Sequence, residues 1–292
     1  MIDFTPALRA QALENLKRYL WQPAPFIAPQ LPDGTIFGAI NVGNLVGGIN
    51  WPGASFDPET GIFYGQANNS AVTVSTISET YLQVVRPETQ RESGRGPVWE
   101  AEAAGRGRGA ITGRGGARGA GGRGAAPAAV TAALAAAVAG RGGLTSGLES
   151  LPIAKHPYGV LTAIDLNTGD IKFRVPHGDT PDSVRATLQR LGVNYPDKTG
   201  QPGSVGLMVT KTLVVAGDPQ VTAPPDRPRG AMLRAYDKQT GKELGAVLMP
   251  AQQSGSPMTY LADGRQYIVV AVQGLAGAGG QYIAYALPPS AR

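Results

Sequence analysis

The chain contains no cysteine, which excludes disulfides, thiolate metal sites and a cysteine nucleophile. Its two histidines, His156 and His177, do not stand at a metal-ligand spacing, and each reads as a loop residue. No apolar run approaches the roughly 18–20 residues that cross a bilayer. No basic segment leads into an apolar stretch at Met1, so any export signal is expected upstream of it. Charged residues make up only 16% of the chain, and their surplus is local. Eight Arg and three Glu lie between Arg91 and Gly143, leaving 18 basic and 18 acidic residues elsewhere. The net charge of +5 therefore belongs to one segment and says nothing about the folded body.

Turn-forming residues are abundant. With 41 Gly and 24 Pro in 292 residues, the composition suits an all-β chain of short strands better than a helical one. One short helix is expected at the start. Thr5 can cap it, Pro6 fits its first position, and Leu8, Leu13, Leu16 and Leu20 recur at near-helical spacing. Pro23, Pro25, Pro29 and Pro32 then keep the chain extended. From Ile36 onward the pattern is strands broken by Gly and Asp/Asn turns.

A stretch from about residue 93 to 143, rich in Gly, Arg and Ala, has few large apolar side chains. It reads as a disordered insertion in a surface loop. Its Arg–Gly spacing also suits nucleic acid, but no aromatics are interleaved among the Arg–Gly repeats at 105–124 for bases to stack on, so nucleic acid is not the expected partner.

A repeat follows the insertion. Leu161–Gly169 and Leu233–Gly241 share the pattern L-x-A-x-D-x-x-T-G, and a weaker copy lies at Ser55–Gly61. Each predicts a strand, an aspartate that starts a turn through its side chain, and a glycine at positive φ. Residues 206–209 with 212–217, and 266–272 with 282–287, read as further strand pairs. Repeated four-stranded units point to a β-propeller. The stretch from Gly178 to Pro202 reads as a loop decoration between blades. Asp179, Asp182 and Asp197 are scattered along it without the convergence a calcium site needs.

The A-x-D-x-x-T-G repeat resembles the tryptophan-docking motif of the quinoprotein alcohol and glucose dehydrogenases. Gly47-Gly-Ile-Asn-Trp51, leading into Pro52–Gly61, is similar to a GG-x-NW segment of that family. Thr162–Gly178, ending in Val175-Pro-His-Gly178, resembles a blade end of its glucose-dehydrogenase-like branch, and Ser254–Tyr260 followed by Asp263–Val270 is similar to that branch's final blade. The resemblance implies an all-β fold: a partial propeller of about three to four blades from an eight-bladed parent. Residues 1–292 would form its C-terminal part, interrupted by the insertion. The docking tryptophan is replaced by Phe173 in one repeat and Gly245 in the other, so blade packing is expected to be weaker there.

The cofactors implied are pyrroloquinoline quinone and calcium. Asn50 is carried over as a hydrogen-bonding partner near the quinone. Trp51 stands between lining the pocket and packing in the core. Read without the family, Asn50 is a turn residue. Gly203-Ser204 and Ser256-Pro257, which begin inner strands, either border the central funnel or serve only as entry turns. The family's calcium-binding carboxylate, catalytic aspartate, signal peptide and first blades have no counterpart in the sequence. Met1 is therefore expected to lie inside a longer, split or truncated gene, and the isolated chain to be inactive.

Implied partners are the missing N-terminal propeller half, a sugar or alcohol substrate, and a quinone or cytochrome electron acceptor. The implied location is the periplasm. The alternative is a non-catalytic propeller serving as a scaffold or binding module. In either case, an open part-propeller exposes unpaired blade faces and favours association.

Overall fold

The Asp-Thr-Gly turns organise the sheets. A computed structural model of the chain describes residues 1–22, 27–30, 35–42, 48–49, 52–70, 72–75, 143–195, 197–274 and 279–286. In each repeat the aspartate side chain accepts the backbone N–H two residues on. Asp57 takes it from Glu59 at 3.1 Å, Asp165 from Asn167 at 3.0 Å and Asp237 from Gln239 at 3.0 Å. Gly61, Gly169 and Gly241 sit at φ 71°, 82° and 71°. Each returns its N–H to the carbonyl of the aspartate that opened the turn. These are the three turns expected from the sequence, and a side chain at the glycine would strain each of them.

Each turn joins two antiparallel strands. The first sheet runs β2 (Ala54–Asp57), β3 (Ile62–Asn68), β5 (Gly159–Asp165), β6 (Ile171–Pro176). The second comprises β7 (Met208–Val209), β8 (Leu213–Gly217), β9 (Ala231–Asp237) and β10 (Glu243–Met249), each hydrogen-bonded to the next. The third contains β11 (Met258–Ala262), β12 (Arg265–Val272) and β13 (Gln281–Ala286). Two further short strands are β1 (Ala39–Val42) and β4 (Val72–Ser75). The expected pairs appear as β7–β8 and β12–β13; Leu287, predicted to end the last, lies outside the described residues. The architecture is all-β, in sheets of the propeller-blade kind.

By internal contacts the chain divides into two units: Met1–Leu13, Asn41–Thr73 and Leu144–Arg292 form one, and Glu14–Ile40 with Val74–Gly143 the other. In the smaller unit Tyr19 meets Phe37 edge-on, with ring centroids 6.0 Å apart. The three sheets belong to the larger unit and pack face to face in sequence order. Tyr64, Leu161 and Ala163 of the first sheet meet Val214, Ala216 and Tyr236 of the second, with Val205 and Leu207 beside them. Val215, Leu233 and Met249 of the second sheet meet Val270 and Val272 of the third. Phe173 lies in the first of these layers. Its ring rests on Gly241, where a Cβ would fall 2.5 Å from a ring carbon. Phenylalanine at the docking position thus reaches the turn of the next sheet.

The structure corrects two local expectations. Helix α1 spans Pro6–Leu16, with Thr5 Oγ1 accepting the Leu8 N–H at 3.1 Å, and does not reach Leu20. Leu20 instead pairs with the extended segment at Ala39, and that ladder takes the backbone groups a helix would need. The stretch 178–202, expected to be a loop, carries helix α2 (Asp182–Arg190). Pro181 precedes it at φ −53°, and Val184 and Leu188, four residues apart, form its buried stripe. His177 lies in a loop as expected, after the end of β6, and is fully buried there. Asn50, Trp51 and all but the last residue of the 93–143 insertion lie outside the described residues.

Candidate functional site

Three segments lead into the first strands of the three sheets: 48–53 into β2, 203–207 into β7 and 255–257 into β11. Glycine, serine and proline make up half or more of each, so backbone can approach backbone closely. The middle segment is held from both sides. Gln66 on β3 donates its amide to the Gly203 carbonyl at 3.0 Å and accepts the Val205 N–H at 3.0 Å. Gln253 donates to the Gly206 carbonyl at 2.8 Å and accepts the Gly217 N–H at 2.5 Å. Both glutamines are buried, so their amides are committed to fixing this backbone.

Serine hydroxyls complete the convergence. Ser55 donates to the Leu207 carbonyl at 2.7 Å, Ser204 to the Gly48 carbonyl at 3.3 Å and Ser256 to the Pro52 carbonyl at 3.4 Å. At Gly206 an added Cβ would lie 1.9 Å from Ser256 Oγ, which explains the glycine. The entry segments carrying Gly203-Ser204 and Ser256-Pro257 therefore meet Gly48 and Pro52, between which Asn50 and Trp51 lie outside the described residues. The two described neighbours of that pair, Ile49 and Pro52, belong to the same rim.

The described rim residues are neutral, and Gly53 at φ 73° has open space where a side chain would stand. The described rim segments contain no Arg or Lys for cofactor carboxylates. Among the described residues no group of three or more His, Asp or Glu could hold a metal, so no step is assigned to calcium here.

The charged chemistry lies further out, on β9, β10 and the segment around α2, and the sequence pattern did not reveal it. Arg234 on β9 is only 2% exposed and is bonded by three carboxylates. Its Nε donates to Asp218 Oδ1 at 2.6 Å and its Nη2 to Asp218 Oδ2 at 3.0 Å. Nη2 also lies 2.9 Å from Asp179 Oδ2, and Nη1 donates to Glu243 at 2.9 Å. Arg227 donates to Asp179 at 2.5 Å and Lys198 to Glu243 at 2.9 Å. Burial opposes the charge on Arg234, but Asp218 and Asp179 outweigh it and raise its pKa. Burial also opposes ionisation of Asp179, yet Arg234, Arg227 and Lys198 hold its carboxyl below the usual range. The oxygens of Asp179 thus converge on guanidinium groups, in charge-assisted bonds.

Two other buried polar contacts tie sheets together. Lys238 donates to Asp57 at 2.7 Å, and this bond, with that of Thr60, depresses the Asp57 pKa. His177 lies 3.0 Å from the Tyr236 hydroxyl through Nδ1 and 3.1 Å from the Gly217 carbonyl through Nε2. A carbonyl can only accept, so Nε2 carries the proton and Tyr236 donates to Nδ1. That arrangement needs a neutral ring, and burial lowers the His177 pKa accordingly. These contacts hold the second sheet on the first and leave the strand-entry rim as the candidate binding site.

A family model described as "PQQ: Glucose/ethanol/alcohol dehydrogenase, beta-propeller domain" matches residues 1–268. A probable quinate dehydrogenase (quinone) of Xanthomonas campestris pv. juglandis is 29% identical over 250 residues, which are 83% of this chain and 26% of that protein. The glycerol dehydrogenase large subunit of Gluconobacter oxydans is 27% identical over 248 residues, 83% of this chain and 28% of that protein. A crystal structure of quinohemoprotein alcohol dehydrogenase from Comamonas testosteroni aligns with 80% of this chain and 23% of that one, at TM-score 0.39 and 20% identity. The chain thus spans about a quarter of the length of these curated relatives.

Proposed function

We infer the function from the family to which this chain belongs, the β-propeller family of the glucose, ethanol and alcohol dehydrogenases that use pyrroloquinoline quinone. The chain is the C-terminal part of such an enzyme, one oxidising a sugar or other alcohol, and it supplies part of the cofactor pocket. The observation that supports this reading is the convergence of three strand entries, fixed by Gln66 and Gln253, at Gly48 and Pro52, which flank Asn50 and Trp51 in the sequence.

The printed names of the relatives support the reaction class. Quinate, glycerol and glucose all carry hydroxylated carbons, and two of the names specify a quinone. When bound, pyrroloquinoline quinone accepts the hydride from the carbinol carbon. The chain's own contribution is to hold and orient. Asn50 would hydrogen-bond the cofactor near its quinone, and Trp51 would line the pocket or pack in the core. The clamped 203–207 backbone keeps that rim in one geometry, as preorganisation requires. The proton-accepting base, the calcium ligands and the carboxylate-binding cations are assigned to the remainder of the propeller. A quinone or a cytochrome takes the electrons onward.

We assign the enzyme to the periplasm on its family alone. No described helix is long and apolar enough to cross a membrane. The test is an absorbance titration of the purified chain with pyrroloquinoline quinone, with and without calcium. Saturable spectral change that weakens in Asn50→Ala supports the reading. Equal binding by that variant removes Asn50 from the pocket.

A further inference from the structure

Away from the strand-entry rim, the larger unit holds a cavity of about 450 Å³ among α2, the chain that follows it, and strands β9 and β10. No residue of the rim lines it. Its volume falls within the roughly 300–1,000 Å³ of small-molecule sites. Antiparallel pairing sets Ala246 of β10 directly opposite Arg234 of β9, so both side chains stand on one face of the second sheet. The short Ala246 side chain leaves room, and Leu188 of α2 and Met232 of β9 supply apolar surface. Tyr195 adds an aromatic ring that is held in place. Its hydroxyl lies 3.1 Å from His156 Nδ1, and Phe4 meets its ring edge-on at 5.3 Å. His156 Nε2 faces Asp3 at 3.5 Å and so carries the ring proton, which leaves Nδ1 to accept from Tyr195.

The cavity lining carries four carboxylates and four cationic side chains, so its net charge favours neither anion nor cation. The cations are already committed. Arg234 is held by Asp218, Asp179 and Glu243. Arg227 spends its Nη groups on Asp179, Thr222 and the Pro228 and Gly230 carbonyls. Arg185 donates to Asp182 and to the Thr180 and Ala223 carbonyls, and Lys198 to Glu243. An anion would have to displace these bonds, and an ammonium group would meet carboxylates already neutralised. Spare capacity lies elsewhere. Asp179 Oδ1 has Lys198 alone beside it, at 3.5 Å, and can accept further hydrogen bonds. The exposed side-chain amides of Gln189 and Asn194 have no hydrogen-bond partner among the described residues.

A site of this composition suits a neutral ligand rich in hydroxyls. Hydroxyl groups donate to carboxylate oxygens, and they both donate to and accept from amides. The carbon skeleton of the ligand takes the apolar surface of Tyr195, Leu188 and Met232. We propose that this cavity binds a neutral cyclic polyol of the monosaccharide kind, at a second site separate from the strand-entry rim. Asp179, Asn194 and Gln189 hold its hydroxyls, and the paired guanidinium groups of Arg227 and Arg234 keep the Asp179 carboxylate in position.

Saturation-transfer NMR on the full chain tests this with three probes that share a ring skeleton and differ in charge. They are D-glucose, glucuronate, and glucosamine held below the pKa of its amine. Glucose should show saturable transfer and bind more tightly than either charged analogue. Asn194→Ala and Gln189→Ala each remove one free amide and should weaken glucose binding roughly twofold to tenfold. Ala246→Phe fills the cavity and should abolish binding. All three positions are exposed, so the variants should fold, and circular dichroism checks this. Absence of saturable transfer from glucose overturns the proposal. So does glucose binding that survives Ala246→Phe or both amide substitutions, or a charged analogue that binds more tightly than glucose. Binding is read without pyrroloquinoline quinone or calcium, so the result is independent of the cofactor pocket.

Discussion

Replacing Arg234 with methionine should be among the most damaging single changes in the second sheet. The substitution keeps most of the apolar stem and removes the guanidinium. Asp218, fully buried, then loses bonds of 2.6 and 3.0 Å and keeps the Met232 N–H at 3.1 Å. Asp179 retains Arg227 and Lys198, and Glu243 retains Lys198, so the uncompensated charge is mainly that of Asp218. Removing one partner of a buried pair costs about 3–5 kcal/mol. At about 2–4 °C per kcal/mol for a domain of this size, the melting temperature should fall by roughly 6–20 °C. Urea unfolding followed by circular dichroism measures the free energy directly. Adding Asp218→Asn removes the stranded charge and should recover a large part of the loss. A loss under about 1 kcal/mol, the level of an exposed ion pair, would refute the reasoning. So would a double variant no more stable than Arg234→Met alone.

Further predictions concern packing and pH. Gly206→Ala places a Cβ 1.9 Å from Ser256 Oγ, so it should destabilise by about 1–3 kcal/mol and weaken cofactor binding; Ser256→Gly should recover part of both. Phe173→Ala removes the ring from Gly241 and the inter-sheet layer; because the side chain is half-buried, unfolding should show a loss of about 2 kcal/mol, below that of a full core aromatic. Burial lowers the pKa values of His177 and His156, so the stability their neutral rings provide is present above the ordinary histidine range. It is lost as pH falls through that range toward the lowered values. The urea midpoint should therefore drop between about pH 7 and 5, and the drop should be smaller in His177→Gln. An unchanged slope would show that the His177 ring does not titrate with folding.

The turns and hairpins were legible because their signals are local. Asp57, Asp165 and Asp237 bond to residues two positions away, and the glycines at φ near 70–80° stand four residues after them. Alternation then fixed which strand residues face a neighbouring sheet. Helix α2 was missed because one buried pair, Val184 and Leu188, carries its pattern in a stretch rich in Asp, Pro and Gly. The charge network was missed for a different reason. Asp179, Asp218, Arg234 and Glu243 belong to separate elements, and only the fold brings them together. A signal was present: Arg234 occupies the same alternation as buried Tyr236, an inward position for a charged side chain. His177 gave no local sign of its burial, since its partners are Tyr236 and the Gly217 carbonyl. At the candidate rim the sequence named Gly203, Ser204, Ser256 and Pro257, and the segments that carry them converge. The clamps Gln66 and Gln253 bond mainly to backbone distant in sequence and could be recognised only from the structure.

The central claim is that this chain carries a working part of the cofactor pocket, and thermal unfolding with added pyrroloquinoline quinone and calcium tests it most directly. A ligand held by the folded state alone stabilises it by about 2.7 kcal/mol at a hundred times its dissociation constant. That corresponds to a rise of roughly 5–11 °C here. The account predicts a saturable rise of this order, diminished in Asn50→Ala. A cooperative unfolding transition that stays in place at every cofactor concentration would contradict it.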